Sequence, residues 1–285
     1  MNNLGRVLLL VGSKRRRGNS DYLARTIERG LKDEGSQTRL IYLDQLRLCF
    51  CRGCLSCVFK EGCVLDDDLP SLVEEFLKAE GLVVAAPTYL FSPGGIIKTL
   101  IDRALVMSSH LEKTEKSRRF SLSVSVAGNQ RWNHLGVEFL NLLGLAYHYR
   151  PLDYLEAYAP GPGEVLLQDE VMVRARKLGS RLSRALAGEE EPREAEPAQC
   201  PLCYSRSLRF EGQGKLLCPF CGIKGTISQG LPEFDLSAQD SFWSHESLRD
   251  HLVSWIEKTG VRFKEQLPRI REARRDFEEA DGLHK

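Results

Sequence analysis

Short apolar runs alternate with amphipathic segments along residues 5–187. The run RVLLLVG is continuously apolar and ends in glycine, which predicts a strand that is buried on both faces of a sheet. In YLARTIERGLKDEG, apolar side chains recur at helical spacing at Leu23, Ile27 and Leu31, and Gly35 predicts the helix end. The same reasoning predicts four more strands, TRLIYL, GLVVAAPTY, RRFSLSVSVAG and AYHYRPLDYLEAYA, and four more helices, DLPSLVEEFLKAE, GGIIKTLIDRALVMSS, WNHLGVEFLNLLG and LLQDEVMVRARKLGSRLSRALAG. Five strands that alternate with helices predict an α/β fold with a five-stranded parallel sheet and helices on both faces.

The pattern changes after residue 187. The segment GEEEPREAEPA, residues 188–198, is acidic and contains two prolines but no large apolar residue, which predicts an exposed linker. A short cysteine-rich segment follows at 199–230, and the remainder, 231–285, contains a long helical pattern. We therefore expect an α/β domain at 1–187, then the linker, a small module and a C-terminal helical segment.

Composition and charge narrow the class of protein. Of the 285 residues, 42% are hydrophobic and 28% are charged, as in ordinary soluble domains, and the net charge of +1 gives no reason to expect nucleic acid or a membrane as partner. The apolar run near the N-terminus is short and precedes a basic cluster, which is the reverse of a secretory signal. We expect a cytoplasmic protein. In such a reducing compartment, clustered cysteines indicate metal ligands or redox groups.

The loop GSKRRRGNS, residues 12–20, lies between the first predicted strand and the first helix. Open α/β sheets bind ligands at the carboxyl ends of their strands, and free N–H groups at a helix start favour an anion. Ser13, Asn19 and Ser20 can add hydrogen bonds, and three arginines supply positive charge for a phosphate. Neither GxxxxGK[ST] nor GxGxxG is present, so neither an NTPase nor a dinucleotide fingerprint is indicated. The alternative is a solvated basic turn.

Two motifs carry a resemblance to a known family. GSKRRRGNS resembles the FMN-phosphate loop of the flavodoxin-like NAD(P)H-dependent FMN reductases, and APTYLFSPGGIIKTLIDR is similar to the second signature of that family. The resemblance covers about residues 5–187, with Lys14 standing where the family often has proline. It implies a flavodoxin-like fold, FMN as cofactor and oxidoreductase activity. It assigns Ser13, Arg15, Asn19 and Ser20 to the phosphate, Pro87, Thr88, Tyr89, Leu90 and Phe91 to the isoalloxazine, and Gly128 and Asn129 to a third flavin loop. No acid or base residue stands out as catalytic, and none is strictly required for electron transfer.

Residues 49–63, CFCRGCLSCVFKEGC, contain five of the nine cysteines. Four of them have C-x2-C-x2-C-x5-C spacing: Cys51, Cys54, Cys57 and Cys63. Compact runs with two-residue gaps hold 4Fe–4S clusters in ferredoxins. The run is similar to that of the iron–sulfur flavoproteins, a branch of the same family, and this resemblance implies a homodimer or homotetramer in which one subunit's cluster approaches another subunit's FMN. The alternatives are a zinc site and thiols without a cluster.

The other cysteines form a second motif, CPLCYSRSLRFEGQGKLLCPFCG. Two CxxC pairs across a predicted hairpin are typical of a structural zinc ribbon, here with Cys200, Cys203, Cys218 and Cys221 as ligands. A module this small needs the metal for folding. A rubredoxin-type iron site is the alternative, although YSRS follows the first pair where that site usually has a glycine and then an aromatic residue.

Together these motifs predict an oxidoreductase that moves electrons between a low-potential donor, ferredoxin or NAD(P)H, and an unidentified acceptor through FMN and a 4Fe–4S cluster. One alternative is an NAD(P)H-dependent flavin or quinone reductase without a cluster. The other, from a different class, is a redox-sensing module that binds a partner through the zinc ribbon.

Overall fold

The computed structural model describes residues 5–60, 62–234 and 241–280. Residues 1–4 of the expected α/β domain lie outside the described residues, as do residue 61 of the cysteine run and residues 235–240 and 281–285 of the expected C-terminal segment. The chain divides into two compact units, Met1–Trp243 and Ser244–Lys285. The first unit holds both the α/β domain and the cysteine-rich module.

The first unit is built on a parallel sheet of five strands. The strands are β1 (Arg6–Val11), β2 (Gln37–Tyr42), β3 (Gly81–Pro87), β4 (Phe120–Ala127) and β5 (Arg150–Tyr158). Their order is β2-β1-β3-β4-β5, and every neighbouring pair is parallel. This is the flavodoxin-like order, and the prediction of fold class is confirmed. The strand order reverses between β1 and β3, so their carboxyl ends border a crevice where such sheets bind ligands.

Seven helices accompany the sheet in the described part of this domain: α1 (Asn19–Asp33), α2 (Ser56–Phe59), α3 (Leu69–Lys78), α4 (Gly95–Asp102), α5 (Leu111–Glu115), α6 (Gly136–Ala146) and α7 (Asp169–Leu186). The apolar side chains of α1 and α7 cover one face of the sheet, and those of α3, α4 and α6 cover the other. Helices α1 and α7 approach closely at two glycines: a Cβ on Gly30 would lie 2.0 Å from the Arg176 carbonyl oxygen, and one on Gly179 would lie 2.1 Å from that of Ile27.

The helix expected over GGIIKTLIDRALVMSS is interrupted. Helix α4 ends at Asp102, and the chain continues as a 3-10 helix over Ala104–His110. Arg103 stands at the break, and its buried side chain forms an ion pair with Asp67. The ion pair of Arg103 therefore lies where α4 ends, although the sequence pattern predicts one continuous helix there.

The cysteine-rich module contains a second, antiparallel sheet. Its strands are β6 (Arg209–Gly212), β7 (Lys215–Leu217), β8 (Lys224–Ser228) and β9 (Leu231–Glu233), in sequential order. The sequence indicated only the hairpin of β6 and β7. The module packs on the α/β domain, because Tyr204 contacts Tyr154 and Asn141 Nδ2 donates to the Cys203 carbonyl oxygen at 2.8 Å.

The second unit is helical in its described part. It contains α8 (His245–Asp250), a π-helical stretch over His251–Glu257 and α9 (Lys258–Ala280). Pro268 lies inside α9. None of the helices in the described ranges combines the length and the apolar character that a membrane crossing requires.

Candidate flavin site, cysteine loop and metal centre

The loop between β1 and α1 forms a compact turn at the crevice. Ser13 is buried, and its Oγ accepts a hydrogen bond from the Arg15 N–H at 3.1 Å. Arg17 has a φ of 58°, and its N–H donates to Asp21 Oδ2 at 2.9 Å. Burial alone would raise the pKa of Asp21, but hydrogen bonds from Tyr42, the Arg17 N–H and Arg25 outweigh it and lower the pKa. The carboxylate of Asp21 is thus already hydrogen-bonded to Arg17, Arg25 and Tyr42.

A cavity of about 160 Å³ lies at the carboxyl ends of the strands. The sequence-predicted flavin residues that line it are Ser13, Arg15, Asn19, Ser20, Pro87, Thr88, Tyr89 and Gly128. Leu90, Phe91 and Asn129 do not line it. The cavity is smaller than the enclosed sites of about 300–1,000 Å³ that usually hold small molecules. A ligand the size of FMN therefore has to extend onto the open surface beside it.

The turn after β3 supplies that open surface. Tyr89, Leu90 and Phe91 are 60%, 70% and 40% exposed, although all three are large and apolar. Phe91 adopts a φ of 64° and stacks on Trp132, with 5.4 Å between ring centroids. A Cβ on Gly128 would meet no atom within 4 Å. The site thus combines buried hydroxyl groups and an arginine at one end with exposed aromatic side chains at the other. The polar groups fit an anionic tail, and the aromatic side chains fit a planar ring.

Asn19 has a structural task that the sequence did not reveal. Its Nδ2 donates to the carbonyl oxygens of Ala159 and Gly161, both at 2.9 Å, and its Oδ1 accepts from the Gly163 N–H at 2.8 Å. These bonds hold the loop after β5 against the start of helix α1. Three residues of that loop also line the cavity, Ala159, Pro160 and Pro162. The run APGPG directly after the fifth predicted strand was the available signal for them.

The cysteine loop lies between β2 and α3. Leu55 has left-handed backbone geometry at the start of the short helix α2, which carries Cys57. Cys51 and Cys54 are exposed, whereas Cys57 and Cys63 are half-buried. Burial and the charges of the thiols at Cys63, Cys51 and Cys54 raise the pKa of Cys57. Among the described residues, the structure does not gather these four thiols into one close ligand group as it does the cysteines of the second motif.

A buried ion pair anchors this loop. The guanidinium of Arg103 pairs with the carboxylate of Asp67, donates to the Cys49 carbonyl oxygen at 3.1 Å and lies 3.2 Å from Cys63 Sγ. Asp67 also accepts from the Cys49 N–H at 2.7 Å. Burial alone would raise the pKa of Asp67, but the hydrogen bonds and charge of Arg103 lower it. An arginine N–H beside a ligand thiolate stabilises negative charge on the sulfur.

The cysteines of the second motif meet in the ribbon module. Their ligand atoms all lie within 4.8 Å of one another, and all four residues, Cys200, Cys203, Cys218 and Cys221, are buried. The Sγ atoms of Cys200 and Cys221 are 3.3 Å apart, and those of Cys203 and Cys218 are 3.4 Å apart. Tetrahedral zinc with Zn–S bonds of about 2.3 Å requires sulfur separations of roughly 3.8 Å. The four thiols thus fit one tetrahedral metal ion after a small expansion.

Comparison with known proteins agrees with the geometry of the crevice. Residues 6–134 match the NADPH-dependent FMN reductase family. An iron–sulfur flavoprotein from Archaeoglobus fulgidus is 26% identical over 199 residues, which is 70% of this chain and 87% of that protein. One from Methanosarcina thermophila is 28% identical over 96 residues, 34% of this chain and 50% of that protein. The chain therefore spans most of the first relative and half of the second.

One solved structure is similar along nearly the whole chain. This structure, of a flavone reductase, has a TM-score of 0.74 and 22% sequence identity, and the match covers 96% of this chain and 97% of that one. At this identity the likeness shows a shared fold. Together with the family match, the crevice at β1 and β3 identifies a flavin-dependent oxidoreductase, and FMN is the flavin that the family's description names.

Proposed function

We propose that this flavin-dependent oxidoreductase is an electron-transfer protein. It moves electrons between a low-potential donor, ferredoxin or NAD(P)H, and an acceptor through FMN and a 4Fe–4S cluster. The observation that carries the proposal is the cavity at the strand-order reversal, where the loop after β1 meets the turn after β3. The cysteine loop of the same domain, with Cys51 and Cys54 exposed, supports the cluster.

The residues divide the binding of FMN between them. The buried hydroxyls of Ser13 and Ser20 and the guanidinium of Arg15 bind the phosphate, next to the N-terminus of α1. The turn Pro87–Phe91 and the loop at Gly128 and Asn129 border the isoalloxazine. Bound FMN accepts a hydride as two electrons and releases them one at a time. We assign no catalytic acid or base, because this chemistry requires none.

Cys51, Cys54, Cys57 and Cys63 hold the 4Fe–4S cluster in this proposal, and Arg103 lies next to the last of them. An iron–sulfur cluster transfers single electrons, and nearby hydrogen bonds to sulfur tune its potential. In the ribbon, Cys200, Cys203, Cys218 and Cys221 hold zinc, which is redox-inert and serves the fold. The exposed aromatic surface around Tyr89 and Phe91 is covered by a second subunit in a homodimer or homotetramer.

A flavone is a second candidate for the acceptor. Besides the flavone reductase structure, a flavone synthase from Aspergillus candidus is 24% identical over 187 residues, 58% of each chain. The structural observation that favours a planar acceptor is a cavity of about 690 Å³ at the carboxyl end of β5, whose lining includes Tyr154, Tyr158 and Tyr204. In such a reaction, the ring double bond conjugated to the ketone would take up a hydride from reduced FMN and a proton from water.

The experiment is metal and flavin analysis of anaerobically purified protein, followed by spectra after addition of NADH, NADPH, reduced ferredoxin or dithionite. We expect one FMN, one zinc and about four irons with sulfide per chain. FMN and zinc without iron would favour the flavin or quinone reductase instead. A wild-type chain that binds no flavin would refute the proposal. Reoxidation of the reduced protein by a flavone, measured by product analysis, tests the second candidate.

A further inference from the structure

A buried row of polar side chains connects the flavin cavity to the ribbon. Thr88 lines the cavity, and its Oγ1 lies 2.9 Å from Ser125 Oγ. Ser125 Oγ donates to Asn133 Oδ1 at 2.6 Å, and Asn133 Nδ2 donates to Glu156 Oε1 at 2.9 Å. Thr88, Ser125 and Asn133 are at most 7% exposed. In such a row, the donors and acceptors at the ends decide the direction in which each hydroxyl proton points.

The far end of the row fixes these directions. Glu156 Oε1 also accepts from the Tyr158 hydroxyl at 3.2 Å, and Arg206 of the ribbon lies 3.4 Å from Glu156 Oε2. All three partners of Glu156 therefore act as donors. Asn133 must turn its amide N–H to Glu156, which leaves its carbonyl oxygen for Ser125.

The remaining protons follow from this orientation. Ser125 has one hydroxyl proton and gives it to Asn133, so its oxygen accepts the proton of Thr88. Thr88 then has no proton left for the cavity. A ligand that reaches this oxygen would meet only its lone pairs.

Packing holds the row in this arrangement. A Cβ on Gly136, the first residue of α6, would lie 2.1 Å from Asn133 Oδ1, 2.1 Å from Ser125 Oγ and 2.7 Å from Thr88 Oγ1. The three polar atoms thus lie around Gly136, which has no side chain to displace them. Their positions are determined before any ligand binds.

We propose that Asn133 and Glu156 are positioning residues for FMN, which hold Thr88 Oγ1 as a hydrogen-bond acceptor for the N–H of the flavin's pyrimidine ring. This inference rests on the proposed function, in which FMN occupies the cavity. The pyrimidine ring carries that N–H between two carbonyl groups, which are acceptors. An acceptor-only Thr88 therefore matches one atom of this edge and repels its neighbours, and so sets the orientation of the ring.

The test measures dissociation constants of FMN and of 3-methyl-FMN, which lacks the N–H, on anaerobic full-length protein. Thr88→Val removes the hydroxyl at nearly constant volume, and Thr88→Ser retains it. We expect Thr88→Val to bind FMN about tenfold more weakly, as for the loss of one buried hydrogen bond. Thr88→Ser should stay within about twofold of wild type, and Thr88→Val should not change the affinity for 3-methyl-FMN. Unchanged zinc content and melting temperature show that each variant is folded.

Glu156→Gln tests whether Glu156 acts through Thr88. A glutamine can present its amide N–H to Asn133 and let the row reverse, so FMN should bind several-fold more weakly. The double variant with Thr88→Val should lose no more than Thr88→Val alone, because residues that act as one row are not additive. Additive losses, or FMN affinity unchanged in Thr88→Val, would overturn the inference and leave the proposed function standing. Failure of the wild-type chain to bind FMN would overturn both.

Discussion

Arg103 and Asp67 form an ion pair that is withdrawn from solvent, with side chains 2% and 0% exposed. The two residues come from different elements, Arg103 from the end of α4 and Asp67 from the segment before α3. Both also bond to the cysteine loop, through the backbone of Cys49 and, for Arg103, through Cys63 Sγ. The pair therefore links the end of α4 and the segment before α3 to the cysteine loop.

Replacement of Asp67 by asparagine should destabilise the protein strongly. Arg103 would keep its charge in a buried place without a counter-charge, which typically costs about 3–5 kcal/mol. The free energy of unfolding from urea titration measures the effect, and the exposed pair of Asp33 and Arg176 supplies a matched control. Asp33→Asn should cost less than about 1 kcal/mol. Equal losses in the two variants would contradict the importance of the buried pair.

The stability of the protein should fall at low pH in part through Asp21. Its pKa in the folded protein is lowered, so its stabilising contribution is present above the unfolded-state pKa of about 3.9 and is lost as the pH falls through the folded-state value. Asp21→Asn should make the acid limb of the stability profile shallower. Tyr42→Phe should act in the same direction, because the Tyr42 hydroxyl donates to Asp21 at 2.7 Å. An acid limb with unchanged slope in both variants would refute this.

Cys54→Ala should abolish the cluster while leaving the flavin in place. Cys54 is an exposed member of the four-thiol set and is remote in sequence from the flavin loops, so its loss removes a ligand without disturbing the core. Iron, sulfide and FMN are measured on the same preparation. Cys49→Ala is the control, since Cys49 bonds to the structure through its backbone. Full iron content in Cys54→Ala would show that this residue is not a ligand.

Cys218→Ser should release the metal of the ribbon and lower the stability of the α/β domain as well. Cys218 is buried with its three partner thiols, and the ribbon bonds to α6 through Asn141 and packs on β5 through Tyr204. We expect one zinc fewer per chain and a lower melting temperature. Zinc analysis and thermal unfolding followed by circular dichroism measure both. An unchanged melting temperature after zinc loss would mean that the ribbon is energetically independent.

The local pattern of the sequence determined the five strands, the parallel sheet and the cysteine spacings. Strand and helix periods depend on neighbouring residues, and a buried parallel strand such as RVLLLVG has few alternatives. The four ribbon cysteines could also be grouped from spacing, because two CxxC pairs across a hairpin define a closed metal site.

Contacts between distant residues decided the rest. Asn19 bonds to the backbone of Ala159, which is 140 positions away, and Arg103 reaches Cys63 across 40 positions. The row from Thr88 to Glu156 and the packing of Tyr204 on Tyr154 depend likewise on which elements the sheet order places side by side. Sequence periodicity shows which face of an element is apolar but not which polar side chain it meets. These partners could therefore be identified only in the folded chain.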